Sequence, residues 1–362
     1  MKIAILDMDD IRNPHWGSGQ ATATREIGKR LAQKNSITVY SSKYPGFKDY
    51  KEDGIFYQHI GIGTKFAKVN NLFYLLTLPF TVRKIKADII IEHFTAPIST
   101  CFSPLFTKIP VVGLSSFFAS SEMSKKYGIN FEFIEKFGGR FYKYGISLNK
   151  SHAAKMKMYN PSIVVRIIPN GVDKKYLSMK TDEKRYILFI GRIDIFQKGL
   201  DMLIDAFKKA AEKIEDDLYI MGSGSVSEEQ QMISLIEKNG LGKRVKFLGR
   251  KTGKEKDDYL RKAKFAVFPS RYEGQSLSFL ECMALGKSIV CFALDDLKWL
   301  DEKASIKVKP FSIDELSEKI ILLSKNKPFR RLIGKYAKEQ SALYLWDKTA
   351  EAYGKFLTAI VN

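Results

Sequence analysis

The feature that most constrains this chain is an alternation in its second half, where short unbroken apolar runs keep giving way to amphipathic stretches. The runs read at Tyr186–Gly191, Leu218–Gly222, Val245–Gly249, Phe265–Pro269 and Ser288–Ala293, with helices predicted between them at Leu200–Ile214, Ser227–Lys238, Asp257–Ala263 and Leu277–Leu285. Leu200, Leu203, Ile204, Phe207, Ala211 and Ile214 recur at the spacing of one helix face. The runs do not alternate apolar with polar residues, so both faces of each strand must be covered. Strand–helix–strand repetition with such strands specifies a parallel, doubly wound sheet.

The first half repeats the theme. Strands are predicted at Ile3–Asp7, Ile37–Ser41, Ile55–Ile60, Asp88–Glu92, Pro110–Ser115, Ile146–Asn149 and Val164–Pro169. Helices are predicted at Ala21–Gln33, Asn71–Lys84, around Ile98–Phe106, and at Phe131–Tyr144. The turn cluster Pro169-Asn170-Gly171-Val172-Asp173 separates the halves. A chain of 362 residues, at about 100–200 per domain, suits two domains. The expectation is an α/β protein of two Rossmann-like parallel-sheet domains facing a central cleft. Residues 1–170 form the first and 171–343 the second; a terminal helix, 344–362, amphipathic around Trp346, Ala350, Tyr353 and Phe356, returns to the first.

Composition narrows the function classes. Three cysteines, Cys101, Cys282 and Cys291, are too few and too odd in number for a disulfide scaffold. No Cys/His spacing suggests zinc, so a reduced, cytoplasmic setting is expected. The start, Met1 to Asp7, reads as a buried strand rather than a signal peptide. The most lipid-like stretch, Val69 to Val82, contains Asn70, Asn71 and Pro79 and is too short to span a bilayer. Lys and Arg number 60 against 40 Asp and Glu, a net charge of +20. Nucleic acid, an anionic membrane and phosphorylated substrates could each use that excess, and charge alone does not choose among them.

In sheets of this kind ligands sit outside the carboxyl ends of the strands. After Tyr186–Gly191 come Arg192 and then Lys198-Gly199 at the head of a helix. Two cations beside a helix N-terminus suit phosphate oxygens, although they also read as solvated cations of a Lys-rich protein. After Phe265–Pro269, Gly274 permits a tight loop, and the helix that follows aims free N–H groups outward. Glu281 falls on a face of that helix otherwise formed by Leu277, Leu280 and Ala284. An acid there must be paired or ligated. It can accept hydrogen bonds from the vicinal hydroxyls of a ribose, or pair with a neighbouring Lys.

Glu273 and Glu281, followed by Met283-Ala284-Leu285-Gly286, resemble the E-x7-E segment of the GT4 family of retaining glycosyltransferases, which have the GT-B fold. Gly191-Arg192 with Lys198-Gly199 is similar to that family's diphosphate clamp. The 169–173 turn resembles its interdomain turn, Met221-Gly222-Ser223-Gly224 its nucleobase-side turn, and Tyr344-Leu345-Trp346-Asp347 the start of its crossover helix. The resemblance implies an enzyme with no cofactor and no metal. Arg192 and Lys198 would bind the donor diphosphate and stabilise leaving-group charge. Glu281 would hold the ribose, and Glu273 with the N–H groups of Gly274, Gln275, Ser276 and Leu277 would contact the donor sugar and its phosphate. Gly222 would lie by the base, and Gly17-Ser18-Gly19 resembles the glycine loop facing diphosphate and acceptor, although a plain turn also explains it.

Two departures bear on specificity. The family's usual His after the strand at Pro110–Ser115 is replaced by Leu114-Ser115-Ser116-Phe117, so Ser116, or His93 past the neighbouring strand, would contact the sugar or acceptor. The usual Phe-Gly after Gly274 is Gln275-Ser276. Asp7-Met8-Asp9 looks like a metal-binding Asp-x-Asp but reads better as solvated acids capping a strand. The segment Lys125 to Lys157 interleaves cations with Phe131, Phe133, Phe137, Phe141, Tyr142 and Tyr144, which suits either an anionic bilayer or a core-packed helix with a solvated basic face. The expected reaction moves a hexose from a UDP- or GDP-sugar to a lipid-linked or envelope glycan acceptor, peripherally on the inner face of the cytoplasmic membrane. The other reading is a basic binding module with weakened catalysis. No nucleic-acid partner is expected, for want of any recognition motif, and a dehydrogenase is disfavoured because no G-x-G-x-x-G follows a strand.

Overall fold

The computed structural model describes residues 1–13, 19–94, 102–116, 118 and 120–362. The chain divides into two compact units: Met1–Gly171 with Trp346–Asn362, and Val172–Leu345.

In the first unit the elements run β1 (Lys2–Leu6), α1 (Gly19–Leu31), β2 (Ser36–Ser42), β3 (Tyr50–Glu52), β4 (Ile55–Ile60), α2 (Ala67–Lys84) and β5 (Ile89–Phe94). There follow β6 (Val111–Ser115), α3 (Ser120–Tyr127), α4 (Phe131–Gly139), β7 (Tyr144–Ser147), α5 (Lys150–Tyr159) and β8 (Val164–Ile167). The strands form one eight-stranded sheet in the order β3-β4-β2-β1-β5-β6-β7-β8, parallel except where β3 pairs antiparallel with β4. β5 and β6 are buried along their whole length, as unbroken apolar strands require.

The second unit runs α6 (Lys174–Ser178), β9 (Tyr186–Ile190), α7 (Leu200–Ala211), β10 (Asp217–Met221), α8 (Val226–Lys238), β11 (Val245–Gly249) and α9 (Gly253–Lys262). It continues with β12 (Ala266–Phe268), α10 (Leu277–Ala284), β13 (Ile289–Phe292), β14 (Ile306–Val308), α11 (Ile313–Lys325) and α12 (Lys327–Ser341). Its six strands are all parallel in the order β11-β10-β9-β12-β13-β14. α13 (Trp346–Val361) belongs to the first unit, where it packs on α1 and Asp347 accepts from Arg30 Nε at 2.5 Å.

Strand order reverses once in each sheet, at β1/β5 and at β9/β12. Crossover helices leave such a switch point on opposite faces, which opens a crevice at the carboxyl ends of those two strands. In the second unit β9 and β12 pair in a single register, Ala266 with Leu188.

Several predicted elements need correction. The helix expected over Phe131–Tyr144 ends at Gly139, and Tyr144 opens β7 instead. Of the helix expected around Ile98–Phe106, residues 98–101 lie outside the described residues, and the remainder forms only a short 3-10 turn, Ser103–Leu105. α3 and α5 were not anticipated, because neither carries a clean apolar stripe.

The second unit's core is built on α7, whose Leu200, Leu203, Ile204 and Phe207 are all fully buried. Leu203→Ala is expected to destabilise that unit by about 2–5 kcal/mol, since the lost side chain leaves a cavity in a packed interior. Chemical denaturation followed by far-UV circular dichroism measures it, and a change below about 1 kcal/mol would contradict this packing.

Candidate active site

The second unit gathers most of the singled-out residues at its switch point. The loop leaving β9 carries Arg192 and ends at Lys198-Gly199, where α7 begins. Gly199 caps α7 in the left-handed region (φ 62°), and a Cβ there would stand 2.0 Å from the Pro269 carbonyl oxygen. The turn after β10 comes equally close, since a Cβ on Gly222 would lie 1.7 Å from the Gly191 carbonyl oxygen. Only glycine allows these approaches. They hold the β9, β10 and β12 loops against one another, joined by Gly191 N–H to Met221 O at 3.0 Å, Ile193 N–H to Ser223 O at 2.9 Å and Arg271 N–H to Gln197 O at 2.9 Å.

Lys198 is nearly buried and ion-paired with Glu273, which also accepts from Ser270 Oγ at 3.2 Å. Lys198 is therefore not a solvated surface cation. Arg192 is half exposed; it donates to the Gln197 side chain and lies 4.0 Å from Asp194. Gly274 and Gln275 are buried, while Ser276 and Leu277 open α10 without a side-chain cap. The first N–H groups of α10 are thus left for whatever lies beyond them. Glu281, one turn along α10, accepts from Lys256 Nζ of α9 at 2.6 Å. Nearby, Tyr176 donates to Asp257 at 2.7 Å, and its phenol pKa is raised by burial, then by the Glu281 charge. Lys256, Ser270, Gln197 and Tyr176 went unnoticed in the sequence. Lys256 lies 25 residues before Glu281 on another helix, and no local pattern links them.

The first unit's switch point is different. Gly17 and Ser18 lie outside the described residues, and Gly19 is the first residue of α1 rather than part of a loop. Asp7, expected to be solvated, is fully buried at the end of β1. It accepts from Gln20 Nε2 at 2.6 Å, Thr24 Oγ1 at 2.5 Å and the Asp9 N–H at 3.1 Å, because a buried carboxylate must replace its lost hydration. His93 lies within β5, not past it, and its Nε2 is 3.2 Å from Thr24 Oγ1. Thr24 spends its one proton on Asp7, so its oxygen accepts from His93 Nε2–H. That tautomer makes Nδ1 an acceptor, and it is buried with no hydrogen-bond partner among the described residues. Ser116 follows β6, one residue beyond the register pair Phe94–Ser115.

Residues 171–340, nearly the whole second unit, match the family model described as glycosyl transferases group 1. An uncharacterised glycosyltransferase of Methanocaldococcus jannaschii is 27% identical over 353 residues, covering 94% of each chain. A phosphatidyl-myo-inositol mannosyltransferase of Mycobacterium leprae is 28% identical over 193 residues, 51% of this chain and 50% of that one. Among solved structures, Anabaena HepE in complex with UDP-glucose superposes with a TM-score of 0.78 at 16% identity, covering 99% of this chain and 100% of that one. The fold is GT-B, two doubly wound parallel-sheet domains in one chain. The second unit thus matches the glycosyl transferases group 1 model, and together with the full-length relative this supports glycosyltransferase activity.

Burial lowers the His93 pKa, with the Asp7 charge opposing. A native pKa below the unfolded value of about 6.5 means that acid protonates the unfolded chain first. The contribution of His93 to stability is therefore complete above about pH 6.5 and lost as pH falls through the native pKa. Unfolding free energies of wild type and His93→Gln, measured between about pH 7.5 and 5, should converge or cross as pH falls. Parallel curves would count against a buried, neutral His93.

Proposed function

We propose that this enzyme transfers a hexose from a UDP- or GDP-sugar, with retention and without a metal, to a lipid-linked or envelope glycan acceptor. The observation that supports this reading is that two cations, Arg192 and Lys198, and two carboxylates, Glu273 and Glu281, follow the strands at one switch point. Breaking the bond from the sugar's anomeric carbon to the diphosphate leaves charge on the departing oxygens. Preorganised cations aimed at that charge lower the barrier, the role a metal would otherwise fill. Arg192 offers a bidentate fork and Lys198 a point charge. Glu273 then receives a hydroxyl of the donor sugar in place of part of its bond to Lys198. Glu281 keeps Lys256 on one oxygen and accepts the ribose hydroxyls on the other. Gln275, Ser276 and Leu277 turn backbone N–H groups toward the phosphate. His93 Nδ1 or the Ser116 hydroxyl takes a hydrogen bond from the sugar or acceptor. The base lies by the Gly222 turn, and the N-terminal unit holds the acceptor.

Support for the donor comes from HepE, a fold neighbour whose structure holds UDP-glucose. Support for a lipid acceptor comes from the Mycobacterium leprae relative, whose name includes phosphatidyl-myo-inositol. The alternative, a basic binding module, rests on the +20 charge. It requires salt-dependent polyanion affinity with no response to nucleotide sugars.

A thermal-shift screen against UDP, GDP, ADP and their sugars should raise the melting temperature with one nucleotide class. Alanine at Arg192, Lys198 or Glu281 should each cut transfer by well over tenfold, because each removes a charge-assisted contact of about 1.5–3 kcal/mol. Wild-type rates in all three variants would refute this assignment. Excess chelator should leave the rate unchanged.

A further inference from the structure

Between Lys68 and Arg83, α2 carries no charged side chain. A helix with so little charge on any face is ordinarily covered on all sides. Here the sheet takes one stripe: Asn70, Tyr74, Leu78 and Val82 are buried. The opposite stripe, Val69, Leu72, Phe73, Leu76 and Phe80, faces solvent, with Leu76 57% and Phe80 64% exposed. The patch continues on neighbouring elements of the same unit. Leu105, in the 3-10 turn packed beside α2, is exposed, and so are Phe133 and Phe137 on α4, the latter 6.2 Å from the Phe102 ring. The α4 segment thus splits between the two readings of its sequence: Phe131 and Tyr142 go to the core, Phe133 and Phe137 to solvent. A contiguous apolar patch of this kind marks an interaction surface.

Its rim decides the partner. Exposed Lys65 and Lys68 stand at one end of α2 and Arg83 and Lys84 at the other, with Lys136 beside the exposed rings of α4. No acidic residue occurs between Asp53 and Asp88, nor between Glu135 and Asp173; Glu132, beside Phe133, is the exposed acid on α4. A second copy docked by two-fold symmetry would set this basic rim against itself. An anionic bilayer complements it, taking the apolar stripe at the acyl boundary and the cations among headgroup phosphates. Among the described residues no helix is long and apolar enough to cross a membrane, so the helix lies in the plane of the surface.

We propose that the N-terminal unit docks on an anionic membrane through the α2 stripe, extended by Leu105, Phe133 and Phe137. The proposed function enters only in naming the membrane as the place where the acceptor waits; the surface itself stands on exposure and charge. Co-sedimentation of the full chain with vesicles of phosphatidylcholine, alone or mixed with phosphatidylglycerol, tests it. Binding is expected to the mixed vesicles and to weaken with salt. Leu76→Glu and Phe80→Glu, both at exposed positions, should keep the wild-type melting temperature while reducing bound protein by about tenfold or more. No binding to anionic vesicles, or unchanged binding by both variants, would overturn the proposal. So would a dimer in solution that Phe80→Glu dissociates, which would assign the stripe to a second copy. The nucleotide thermal shift reads the donor site separately, so vesicle binding without a nucleotide response would leave this surface standing and remove the catalytic reading.

Discussion

The arrangement of the second unit depends on how closely three backbone loops approach at the carboxyl ends of β9, β10 and β12. Gly222 presses on the carbonyl of Gly191 and Gly199 on that of Pro269, at separations that leave no room for a side chain. These approaches fix where α7 begins, and hence where Lys198 stands relative to Glu273 on the β12 loop. A rigid frame of this kind suits electrostatic chemistry, because dipoles and charges already in place need not reorganise as the reaction proceeds.

The charges at the site are partnered. Lys198 is held by Glu273 and Glu281 by Lys256, all four substantially buried. Removing one member of such a pair leaves a buried, uncompensated charge, while the intact pair adds little net stability. On the proposed function, an incoming diphosphate would meet a cation already desolvated and positioned, and would take over part of its pairing with Glu273. The first unit meets the same problem with neutral donors. Gln20 and Thr24 solvate Asp7, and the Thr24 oxygen in turn fixes the His93 tautomer.

Much of this was legible in the residues. Unbroken apolar strands between helices of 3.6 period specify the parallel sheets; Arg192, Lys198 and Glu273 stand out because each lies in a loop after a strand end, and Glu281 because it is an acid on an otherwise apolar helix face. The Phe131–Tyr144 helix was overextended because its aromatics continue a helical spacing past Gly138-Gly139, where the chain turns to enter β7. An acid closing a strand is usually solvated, which is the expectation for Asp7; only the fold brings Gln20 and Thr24 over it. The partner of Glu281 was invisible because Lys256 sits on a different helix.

The sequence by itself determined the periodicity, and periodicity determines which faces are buried and that the strands run parallel, since hydrophobic pattern is a local property of the chain. The sequence also placed the glycines without which the loops could not touch. Tertiary structure alone decided which charges meet. It also decided which half of a helix with no mid-helix charge is covered: the sheet takes the Tyr74 stripe of α2 and leaves the Phe80 stripe bare. Pairing and coverage depend on contacts between residues remote in sequence, and no local pattern encodes them.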